Sequence, residues 1–128
     1  MFDIAFFGCK VPETTVTLRG QEVKLRPVTA AESRAIREAF PPPERVKTPD
    51  GRIVSDDPRQ IEAETWRGVQ CMAAELIVAC GAIRADQTTE LQRHVKVWIE
   101  TLTTSELNEA WGHLRQAVRL DPEDARKN

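Results

Sequence analysis

The residues able to do chemistry are few, and their spacing does not assemble them. His94 and His113 are the two histidines of the chain. They fall on successive helical stretches and could meet across a turn, but neither stands at metal-ligand spacing with a cysteine or carboxylate. Both neighbour solvent-facing residues and read as surface histidines. The cysteines number three, an odd count without motif spacing, which fits a reducing cytoplasm. Cys71 and Cys80 lie on one apolar helix about two and a half turns apart, too far to bridge each other. In that setting a thiol packs as a small hydrophobe, and a Cys–His nucleophile would also need an orienting group. Gly8 and Gly20 belong to no phosphate-binding pattern. Glu62 and Glu64 point in different directions, and Asp56-Asp57 reads as a helix cap. The expectation is no catalytic residue, no cofactor and no metal, hence no enzyme.

The elements that position these residues centre on Asp57 to Ala82. Ile61, Trp66, Val69, Met72, Leu76, Ile77 and Cys80 recur with the step of a helix that buries one stripe, broadened at its end by Ala73, Ala74 and Ala79. Asp57 can cap it, Pro58 suits its first position, Gln60 stands where a capping box needs its third residue, and Gly81 supplies the left-handed stop. Thr88 or Thr89 to Leu102 is a further helix with the stripe Leu91, Val95, Trp98, Ile99 and Leu102. Thr103 with Glu106 restarts helical structure at once, and Leu107, Ala110, Trp111, Leu114, Ala117 and Val118 continue as a regular seam. The last two helices therefore read as an antiparallel pair with matched stripes.

Upstream, Thr14 to Val28 alternates as a hairpin, with Val16, Leu18, Val23 and Leu25 on one face and Arg19, Gly20 and Gln21 in the turn. Phe2, Ile4 and Phe6 alternate as well and offer a third strand, or an aromatic arm for a partner. Thr29 to Glu32 is a capping box opening a short helix that Pro41-Pro42-Pro43 stops after Phe40. The proline-rich segment 41–57 reads as a low-density loop, although Pro49-Asp50-Gly51 could turn a second, polar hairpin. The fold class expected is α+β, mostly α: an N-terminal hairpin packed on about four helices. The domain is single and spans 1–128: hairpin region 1–28, short helix 29–40, loop 41–57, bundle 57–120 and charged tail 121–128.

Composition bounds the partners. Among 128 residues the formal net charge is −2, which disfavours nucleic acid as the main partner because phosphate binding needs a basic field. The last two helices might suggest a helix-turn-helix reader, but Glu106, Asn108 and Glu109 give the second of them the wrong charge for a groove. MFDIAFFG is too short and too acidic for a signal peptide, and no stretch approaches a membrane span. Trp66, Trp98 and Trp111 all sit on apolar stripes, where filling the core competes with anchoring an interface.

The segment VTLRGQEVKLRPVTAAE, Val16 to Glu32, resembles the tail assembly chaperones of long-tailed bacteriophages and prophages, small and mostly helical proteins with a hairpin near the N-terminus. The match covers about a sixth of the chain, and the family has no catalytic motif to carry over. The resemblance implies a protein of the bacterial host cytoplasm that holds the tape measure protein and the tail tube protein soluble until the tube forms. Its contact residues are then expected among Phe2, Phe6 and Phe7, the hairpin residues Val16, Leu18, Val23 and Leu25, and the helical residues Trp98 and Trp111. A connector or tail-completion protein of the virion and a small regulatory or inhibitory protein of a mobile element are the alternatives, and the chain could also self-associate into a homo-oligomer.

Overall fold

A computed structural model describes residues 13–54 and 57–118. Two strands, β1 (Thr14–Leu18) and β2 (Gln21–Leu25), are followed by four helices: α1 (Ala30–Ala39), α2 (Pro58–Ala79), α3 (Thr88–Thr101) and α4 (Thr104–Val118). This is a mostly α fold with an N-terminal hairpin. The expected third strand and aromatic arm at Phe2, Phe6 and Phe7 lie outside the described residues, as does the tail after Val118.

The strands pair antiparallel with Val16 opposite Val23 and Leu18 opposite Gln21. Gln21 is thus the first residue of β2, and the turn is Arg19-Gly20 alone, with φ of 49° and 81°. Two successive positive φ values make the tight turn that matches strand twist. An arginine is unusual there. Its side chain is held: Nη2 donates to the Thr101 carbonyl at 2.6 Å, while Nε and Nη2 reach the two carboxylate oxygens of Glu106 at 3.2 and 3.1 Å. Glu106 also closes the predicted capping box of α4, accepting from Thr103 N–H while Thr103 Oγ1 accepts from Glu106 N–H. At the other end of the hairpin the same device recurs. Arg26 donates through both Nη atoms to Glu32 at 2.9 and 2.8 Å, and Glu32 closes the capping box of α1 with Thr29. A backbone bond from Arg26 N–H to the Ala79 carbonyl, 3.1 Å, seats β2 on the end of α2.

Helix α2 is the hub. It touches α1, α3, α4 and β2, while β1 packs on α4. From Met72 to Ala79 every residue but Glu75 is buried, as the unbroken apolar run predicts. Gly81, at φ 80°, ends it: Ala82 N–H reaches the Ile77 carbonyl and Gly81 N–H that of Val78, a Schellman stop. Leu91 and Val95 of α3, with Leu107, Ala110 and Leu114 of α4, complete the core with Val16, Leu25, Ile36 and Phe40.

Four expectations need correction. Helices α3 and α4 are not a tightly matched pair; each packs chiefly on α2 and little on the other. Gln60 does not close a capping box at the start of α2. It is buried, and its Oε1 accepts from Val46 N–H at 2.8 Å while Nε2 donates to Glu64. Through that bond it anchors the polar excursion before α2. There the tight-turn reading of Pro49-Asp50-Gly51 describes the backbone better than a featureless loop: Lys47 bridges Ile53, and Thr48 N–H and Val54 N–H bond Arg52 and Val46 carbonyls. Finally, Ile61 and Trp66 do not belong to the buried stripe, each being 52% exposed. Thr65 shares one hollow with Thr104 at the start of α4, and Trp66 shares another with Ile99 and Glu100 near the end of α3, so this part of α2 borders open hollows and not a closed core.

Candidate functional site

The structure divides the sequence-predicted contact residues. Val16 and Leu25 are sealed in the core at 5% and 0% exposure, which corrects their assignment to a contact surface. The hairpin lies face-down on the helices, so its apolar side is spent on folding. Leu18 and Val23 are half-buried, and with Trp98, Leu102 and the exposed Val97 they rim a shallow hollow beside the hairpin tip. Trp98 packs against the core with one edge and faces this hollow with the other.

Trp111 is likewise half-buried, and its polar edge is engaged. Its indole Nε1 donates to Glu75 Oε2 at 2.6 Å, and Arg115 Nη2 donates to both Glu75 oxygens at 3.1 and 3.2 Å. The Arg115 guanidinium also lies 4.7 Å from the centre of the Trp111 ring, a cation–π stack. Glu75 is the one polar interruption in the apolar half of α2, and these two partners satisfy it.

This cluster closes one end of a groove of about 530 Å³ running between α1, α2 and α4. Its apolar lining is half-buried Val69, with the core residues Ile36 and Met72 beneath it; Arg37, Arg67 and Arg115 add positive charge. Arg67 Nε is fixed by the Phe40 carbonyl at 2.8 Å. Gly68 lies in the lining, and a Cβ added there would meet nothing within 4 Å. Glycine inside a helix costs about 1 kcal/mol relative to alanine, and no neighbour among the described residues requires it. A second hollow of about 570 Å³ flanks the other side of α2, between Trp66, Phe40, Pro41 and Ile99. Exposed apolar side chains thus mark the N-terminal half of α2 and the excursion that Gln60 ties to it: Ile61 and Trp66 on the helix, Ile53 on the excursion.

Candidate chemical groups are placed apart. His94 Nδ1 is bonded to the Glu90 carbonyl of its own helix, and His113 is exposed on α4. Among the described residues no cluster of three or more His, Cys, Asp or Glu side chains could hold a metal ion. Burial pushes the Cys71 thiol above its ordinary pKa, so it is held protonated rather than activated. Among the described helices none is long and apolar enough to cross a membrane.

Sequence reasoning missed the groove because its walls come from three separated segments. Gly68 was the available signal: a glycine inside an otherwise strong helix has either a packing or a functional reason. Comparison with known proteins found no matching family model, no matching curated protein and no matching solved structure.

Proposed function

We propose that this protein is a tail assembly chaperone of a long-tailed bacteriophage or prophage. It acts without catalysis in the host cytoplasm, binding the tape measure protein, the tail tube protein or both, and keeping them soluble during assembly. The observation that carries the reading is the apolar surface around the N-terminal half of α2, where Ile61 and Trp66 stand half in water beside two hollows. Large side chains left exposed beside a groove suit a protein that covers another polypeptide's apolar segment. The resemblance of Val16 to Glu32 supplies the identity of that polypeptide.

Co-expression with a tape measure protein encoded in the same genome tests this. The expected result is that the tape measure protein moves from the insoluble to the soluble fraction and copurifies with this chain. A tape measure protein that stays insoluble, or a chain that assembles alone into a ring of defined size by light scattering, would count against the chaperone and toward a connector.

A further inference from the structure

The groove between α1, α2 and α4 is a more specific feature than the exposed side chains around it, because its walls restrict what can enter. We propose that it takes an amphipathic helix of the partner polypeptide, with apolar residues laid over half-buried Val69 and the open surface at Gly68, and acidic side chains met by Arg37 and Arg67. This rests on the reading of the protein as a polypeptide-binding chaperone and names the element it recognises.

The occupant's backbone form follows from the walls. The lining segments are helical, so apart from the first-turn N–H of Thr104 and the last-turn carbonyl of Arg37 their backbone donors and acceptors are consumed within their own helices. A strand laid in the groove would find no edge to pair with, whereas a helix brings its hydrogen bonds already satisfied. The occupant's charge follows from the balance of the lining. Glu75 is neutralised by Arg115 and by the Trp111 N–H, which leaves Arg37 and Arg67 to set the local field. Arg37 is in no ion pair with any described residue, and the one side-chain hydrogen bond of Arg67 goes to a neutral carbonyl. A partner carrying acidic residues beside its apolar stripe completes both.

Gly68 fits the same occupant. Thr65, Gly68 and Met72 share one face of α2, and Ile61 continues that face beyond the end of the groove. The missing side chain at Gly68 lets a second helix approach the backbone closely, and Ile61 gives its far end apolar cover. Single-stranded nucleic acid is the less suitable occupant of an arginine-bearing groove here. The floor is apolar, and the one aromatic ring of the lining, Trp111, already stacks with Arg115.

The test uses the full chain and three capped peptides of roughly 16 residues, designed as amphipathic Leu/Ala helices. Their flanking positions carry glutamate in one, glutamine in the second and lysine in the third. Calorimetric titration should show the glutamate peptide binding at least about tenfold more tightly than the glutamine peptide, with the advantage shrinking as salt rises. Gly68→Leu should fill the groove and weaken binding by about tenfold or more, with a thermal midpoint equal to or above the parent's. Arg37→Glu should transfer the preference to the lysine peptide. Equal binding of the glutamate and glutamine peptides, binding of neither, unchanged binding by Gly68→Leu, or displacement of the peptide by oligothymidylate would each overturn the proposal. Co-expression separates it from the broader reading. If parent and Gly68→Leu chains solubilise the tape measure protein equally, the groove assignment fails and the chaperone stands. If the peptide binds as expected and the parent solubilises nothing, the reverse holds.

Discussion

Glu32→Gln is the perturbation whose size follows most directly from the structure. Glutamine keeps the shape of the capping box, so the change removes charge and little else. The bidentate bond from Arg26 holds the Glu32 carboxyl well below the usual range; burial opposes this and the Thr29 N–H adds to it, and the pKa falls from 4.5 to about 2. A carboxylate depressed in the folded state contributes stability that is complete above its unfolded value. That contribution is lost as pH falls from 4.5 through about 2, because the unfolded chain takes up the proton first. A shift of this size corresponds to at most about 3 kcal/mol. The Arg26 side chain is 41% exposed, and solvent screening reduces the realistic figure to about 1–2 kcal/mol. Urea unfolding of parent and variant at a series of pH values between neutrality and 2 is the assay, followed by far-UV circular dichroism. The parent should exceed the variant by that amount at pH 7, and the gap should close as the pH approaches 2. Asp57 and Glu106, also depressed by their hydrogen bonds, steepen both curves alike and cancel in the difference. Two curves that run parallel throughout would refute the argument.

The two halves of α2 should respond in opposite ways. Leu76→Ala, at a site with 0% exposure, should cost about 2–5 kcal/mol in urea unfolding, whereas Trp66→Ala should cost under about 1 kcal/mol and instead lower tape measure recovery in co-expression. Gln60→Leu leaves the Val46 N–H without its acceptor and should cost about 1–3 kcal/mol, with faster hydrogen exchange at Val46 as the local sign.

Local grammar was legible in the chain wherever one residue's partner is a few positions away. The boxes at Thr29 and Thr103, the cap at Asp57, the stop at Gly81 and the four helices all follow from such short-range signals. Where the partner is distant, the pattern misled or fell silent. Ile61 and Trp66 share the helical step of Met72 and Leu76, and periodicity cannot say where the neighbouring helices stop. The matched stripes of α3 and α4 suggested that they face each other, but an apolar stripe does not name its partner, and α2 is the partner of both. Gln60 satisfied a sequence rule and was recruited by Val46 instead. Of the candidate surface, Trp111 and Arg115 stand four apart on one helix and were within reach of a local reading; Glu75 and Arg37 joined them only through folding.

The arginines at the two ends of the ribbon, Arg19 in its turn and Arg26 just after β2, each end on a glutamate that is already closing a helix. One carboxylate therefore serves both a helix start and the seating of the sheet, so neither can loosen by itself. Peeling the ribbon away would fray the first turns of α1 and α4, and fraying either turn would release one end of the ribbon. The ribbon and the bundle should in consequence exchange amide protons as one cooperative block, leaving the start of α2 and the excursion bonded to Gln60 as the unit that opens independently.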